Sequence, residues 1–170
     1  LSALVYFFFE LCLLRRAPQD LPASSALLGV TLLADLSSGI LLAHSAGIAV
    51  GVGLAQGLVD VVLSLSLLYS GLSLTGHRPR FAQAATAVLG SGALLGVLAL
   101  VPVGLLPADT ESQGAVLGGL LFMALIGWGV LVTGHILRHA FDLPLAQGVA
   151  IAVAYNVLLY WLVAVLLPGN

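Results

Sequence analysis

Lysine is absent from this chain, and charge of either sign is scarce: five arginines and seven acids in 170 residues, 7% of the whole. A soluble domain carries about a quarter charged residues. With so few, the chain cannot coat a globule with water-compatible side chains, so its outer surface must face an apolar solvent, and a bilayer is that solvent. The formal net charge of −2 leaves no excess of basic side chains to meet phosphates, which excludes a nucleic-acid partner.

Cysteine occurs once, at Cys12, which excludes an internal disulfide and any multi-cysteine metal or redox centre. Cys-x-x-Cys, a glycine-rich phosphate loop, Gly-x-Ser-x-Gly and His-Glu-x-x-His are all missing. No catalytic residue and no cofactor is expected on these grounds. The first segment has neither a basic lead nor a small-residue cleavage site, so it does not read as a signal peptide. The chain opens on Leu1 rather than Met, which suggests that residues precede it.

What is abundant is apolar. Hydrophobic residues make up 61%, mean hydropathy is +1.17, and 20 residues are glycine. A span needs about 20 mostly apolar residues. Five stretches qualify: 25–43, 48–70, 81–106, 115–137 and 145–167. The breaks between them carry Gly47, Gly76 with Pro79, Pro107 with Asp109 and Glu111, and Pro144. All are short, so successive helices should be antiparallel neighbours. The expectation is an all-α, polytopic transmembrane bundle of five spans, with residues 1–170 forming a single domain. Residues 1–14 are too short for a full span and contain Glu10 next to Arg15 and Arg16. They read as an interfacial helix with the Tyr6–Phe9 aromatics in the headgroup zone, or as a truncated sixth span.

The arginines set an orientation. Arg15 and Arg16 precede the first span, Arg78 and Arg80 lie between the second and third, and Arg138 ends the fourth. Strict alternation puts all five on one side, opposite Asp109 and Glu111. Short arginine-bearing loops stay cytoplasmic, so that side is expected inside and the C-terminus outside. Gly47/Gly51, Gly53/Gly57, Gly92/Gly96 and Gly114/Gly118 recur four residues apart, and each such pair offers a flat stripe where another helix can approach.

Asp35 and Asp60 are the sharpest anomaly, each near the middle of its span on either side of a turn at 44–47. An ionised carboxylate there costs at least ~2.5 kcal/mol, so intramembrane acids face the bundle interior and mark a pathway, a proton site or a partner. If the two approach, repulsion and desolvation favour a shared proton. The bland alternative is interhelical glue with Gln56, Ser64 or Asn156. His135, Arg138 and His139 form a second polar group at the inner end of the fourth span. An i, i+4 pair of imidazoles can bind one metal, with His77, Glu10 or Asp142 as further ligands. However, Ile136 stands where a zinc protease carries its base, and such residues at a boundary commonly snorkel or cap the helix. No metal is expected there. Ser37, Ser38, Ser64, Ser66, Ser91 and Thr133 should bond their own helices or cross-link them.

Three stretches resemble the Yip domain family of multispanning membrane proteins, whose eukaryotic members interact with Rab-type GTPases. Residues 8–25, FFELCLLRRAPQDLPASS, are similar to that family's inner-surface helix and proline-containing lead into span one. Residues 78–102, RPRFAQAATAVLGSGALLGVLALVP, are similar to its loop, helix entry and internal proline in span three. Residues 127–145, GWGVLVTGHILRHAFDLPL, look like its Trp-containing fourth span with a polar His/Arg end. The resemblance implies a bacterial-type relative in the inner membrane with five spans and a non-enzymatic role. The Asp-Leu-Tyr-Gly-Pro signature of the trafficking members is absent, so a Rab-type GTPase is not expected as partner. The function expected is a non-catalytic scaffold or accessory component that binds another membrane protein, itself or lipid. The alternatives are a small transporter, channel or proton-linked subunit using Asp35 and Asp60, and a metal- or haem-binding enzyme using His135 and His139.

Overall fold

A computed structural model describes residues 2–106 and 113–166. Among them are six α-helices and no strand: α1 (Ser2–Cys12), α2 (Ser25–Ser45), α3 (Val50–Leu74), α4 (Phe81–Gly104), α5 (Gln113–Phe141) and α6 (Leu145–Leu166). The last five are long and apolar enough to cross a membrane, which is the anatomy of an integral, multi-pass bundle. Asp109, Glu111 and Asn170, expected on the side opposite the arginines, lie outside the described residues.

Helices α2, α3 and α5 end where the chain turns left-handed. Gly47 (φ 82°) and Gly76 (φ 79°) follow α2 and α3, while Asp142 (φ 55°) follows α5. The next amide reaches back to a free carbonyl in each case: Ile48 to Ala43 at 3.0 Å, His77 to Leu72 at 2.8 Å, Leu143 to Arg138 at 2.8 Å. The fourth span therefore runs past its expected end at residue 137 and takes Arg138 and His139 into its last turn. Charge stops an apolar run at residue 137, whereas the helix stops only where the backbone does.

The centre of the bundle is α4. Its surface is small, with Ala84, Ala85, Ala87, Gly90, Ser91 and Ala93 all buried, so neighbours on several sides come close to its backbone. A Cβ added at Gly92 would stand 2.5 Å from Asp35 Oδ1, and one at Gly96 2.9 Å from Ser38 Oγ, which fixes the α2–α4 crossing. A Cβ at Gly53 would meet the Ala43 side chain at 2.8 Å, within the α2–α3 hairpin. Gly134 and Gly148 make the tightest contact between α5 and α6: a Cβ at Gly134 would lie 2.8 Å from Val149 Cα.

α1 is an apolar helix of 11 residues, too short to cross a membrane by itself. Its Phe8 ring sits against Gly90 of α4, while Leu4, Val5, Leu94 and Val97 line a small apolar space between the two helices. Phe8, Leu11 and Cys12 are buried with Ala87, Val132 and Ile136. Ala87 and Gly90 on α4 make room for the seat, so α1 buries one face in the bundle. Of the Tyr6–Phe9 aromatics, Phe8 is buried in the bundle, while Tyr6 and Phe9 are exposed.

Candidate functional site

All three arginine-bearing connections meet at one end of the bundle. Gln19 donates to the His139 carbonyl (2.6 Å), and Gln83 donates to the carbonyls of Gln19 (3.1 Å) and Leu21 (2.7 Å). Arg80 donates to the carbonyls of His139 (3.1 Å) and Ala140 (3.3 Å) and pairs with Asp142 at 2.8 Å, where His77 also approaches at 3.5 Å. Glu10 pairs with Arg16 at 2.8 Å, and that guanidinium hydrogen bond holds its carboxyl below the usual range.

His135 and His139 stack edge-on, with ring centroids 4.7 Å apart. His135 Nε2 lies 2.7 Å from the Arg16 carbonyl, which can only accept, so this nitrogen carries a proton. Arg138 lies 3.2 Å from His139 Nε2 and can only donate, so that nitrogen spends its lone pair on a guanidinium. The pair thus ties the 13–17 turn to the end of α5. Neither Nε2 offers a lone pair to a shared ion. The histidines fasten the end of the bundle, and Glu10, His77 and Asp142 are engaged elsewhere.

The other half of the molecule is hollow. Beyond the buried cluster of Leu68, Leu72, Ala84, Ala85, Leu137, Ala140 and Ala152, which closes the arginine end, lies a cavity of about 650 Å³ between α2, α3, α4, α5 and α6. Its wall extends toward the arginine-free end through Leu42 and Ala43 of α2, Gly53 of α3, Ala99 of α4 and Val163 of α6.

Asp35 and Asp60 both line this cavity, brought there by the α2–α3 hairpin. Small residues make the room: Gly39 on α2, Gly53 and Gly57 on α3, Gly92 and Gly96 on α4 and Gly129 on α5 all face the space. Among the described residues neither carboxylate has a hydrogen-bond or ion-pair partner. The two interact electrostatically with each other, and both act on the Tyr155 hydroxyl. Ser64 and Asn156, expected as their partners, are otherwise engaged. Ser64 bonds through its hydroxyl to Tyr155, whose hydroxyl also donates to the Ser64 carbonyl at 3.2 Å, while Asn156 donates to the Ala152 carbonyl at 2.7 Å. Gln56, Ser91, Thr133 and Tyr160 add to the polar lining, and no arginine or histidine is among the residues that line it.

Tyr155 is the site residue that sequence reasoning passed over. The signal was present: tyrosine belongs at the ends of a span, and this one sits in the middle of α6 next to Asn156. It joins α3 to α6 at the floor of the cavity.

No family model, curated protein or solved structure matches this chain.

Proposed function

We propose that the protein moves or exchanges protons or other cations through its central cavity, as a small transporter or proton-linked membrane subunit, with Asp35 and Asp60 as the exchanging groups. One observation carries the reading: two carboxylates in the middle of apolar helices face a single cavity and have no protein partner among the described residues. A buried acid that only fastens helices would be hydrogen-bonded to them. These two open into space, where a proton, cation or water must meet them. In the same reading the arginine-bearing loops lie on the cytoplasmic side of a bacterial inner membrane and the cavity extends toward the opposite side.

The test is flux in proteoliposomes. The wild-type protein should show a pH-dependent proton or cation flux that Asp35→Asn and Asp60→Asn each abolish while the variants elute as the wild type does. Undiminished flux in both variants, or none from the wild-type protein, would overturn the proposal.

A second reading keeps the scaffold role expected from the Yip resemblance. Gly119 and Gly127 on α5 meet nothing within 4 Å, leaving a strip where another membrane helix fits closely. A stable partner recovered with the protein in mild detergent, and lost on Gly127→Leu, would support it.

A further inference from the structure

The cavity is far larger than an ion requires. One water takes about 30 Å³, so a space of about 650 Å³ holds many times the volume of a single coordinated cation. That size lies in the range of about 300–1,000 Å³ typical of sites for drug-sized molecules, which are mostly apolar with a few placed polar groups. The lining is divided. The acids come from the α2–α3 side, whereas α5 and α6 bring no charge and present Phe122, Leu125, Ile126 and Leu159 beside the uncharged polar Thr133, Tyr155 and Asn156. A neutral apolar molecule would leave both carboxylates unpaired, and an anion would be repelled by them. A hydrated metal ion would leave the apolar wall against disordered water.

We infer that the cavity is a binding site for a lipophilic organic cation, whose positive centre meets Asp35 and Asp60 and whose apolar body lies against α5 and α6. This rests on the reading of the cavity as an exchange site and names its substrate class. The phenyl ring of Phe122 adds an aromatic surface on which an organic cation is favourably held.

Tetraphenylphosphonium is the probe, measured by equilibrium dialysis against the purified full chain in detergent with empty micelles as blank. The expected result is one saturable site, weakened about tenfold or more by Asp35→Asn or Asp60→Asn through loss of the carboxylate's attraction. Tetraphenylborate, with the same shape and opposite charge, should not compete. Ile126→Trp fills the apolar wall without touching either acid and should also weaken binding, so the result does not depend on the acid variants alone. Absence of a saturable site, equal competition by tetraphenylborate, or undiminished affinity in all three variants would overturn the inference. If vesicles show aspartate-dependent proton or sodium flux while tetraphenylphosphonium does not bind, the exchange function stands and this substrate class falls. If the probe binds as expected and flux is absent, the site stands and transport falls.

Discussion

Arg80 begins at the entrance of α4 and ends on the two carbonyls that finish α5, with Asp142 on its other side at 2.8 Å. Those carbonyls have no partner within their own helix, so the guanidinium both caps α5 and favours its negative end. Its side chain is about a third exposed, and solvent screening reduces what the ion pair adds. Arg80→Met should therefore lower stability by about 1–2 kcal/mol, read as a shift in thermal unfolding in detergent; an unchanged transition would remove Arg80 from the account. Glu10 makes a prediction in pH. Its carboxyl is depressed by Arg16, so the linkage it contributes is present above the ordinary carboxylate range and is lost as pH falls through its lower folded value. Hydrogen exchange at Arg15 and Arg16 should quicken on that acid side, and Glu10→Gln should abolish the pH dependence. His135 is buried and donates to Arg16, and His135→Ala leaves that carbonyl unpaired at a cost of about 1–3 kcal/mol. The loss should be one of stability with no change in bound metal; stoichiometric zinc or haem that disappears in the variant would contradict this assignment.

Helices in this bundle are placed by their glycines, and the consequence is measurable. A side chain at Gly134 would run into the backbone of Val149, which cannot move without shifting α6. Gly134→Val should destabilise the α5–α6 pair by about 1–3 kcal/mol. Gly127 on the same helix meets nothing within 4 Å, and Gly127→Ala should be neutral or stabilise by up to about 1 kcal/mol through helix propensity. Equal effects of the two changes on thermal stability would contradict the packing. The same residues show how far sequence carries. Apolar runs give the five long helices because only length and hydropathy decide whether a segment can span. Repeated glycines succeed where both face one neighbour: Gly92 and Gly96 seat α2, and Gly53 and Gly57 seat the hairpin. Gly47 and Gly51 fail as a contact, since neither has a neighbour within 4 Å and Gly47 serves the turn with its positive φ. Gly134 and Gly148 sit on different helices, so no spacing within one helix could pair them. The cavity was half legible. Two acids in apolar spans announced an interior site, but which helices wall it depends on lateral packing, which hydropathy does not encode.

At the scale of the whole molecule, the protein is closed at one end and hollow toward the other. The arginines, the three connections that carry them and the imidazole pair gather where the core is solid. The acids stand in the hollow half. The arginine end is expected in the cytoplasm, so in sealed vesicles Thr75→Cys should react with a membrane-impermeant thiol reagent from the cytoplasmic face and Ser45→Cys from the opposite face. Cys12 gives a quiet background, since burial pushes its thiol up to about 11, and Cys12→Ser removes it altogether. In the proposed function, Asp35 and Asp60 stand in a cavity that polar solutes enter from the arginine-free face. The same labelling at Gln56→Cys and Asn156→Cys on the cavity wall checks this entry, with Val62→Cys, 61% exposed on the outside of α3, as the lipid-facing control. Both wall positions should react from the Ser45 face, and position 62 should not react. Reaction of the wall positions from the Thr75 face alone, or from neither face, would contradict it.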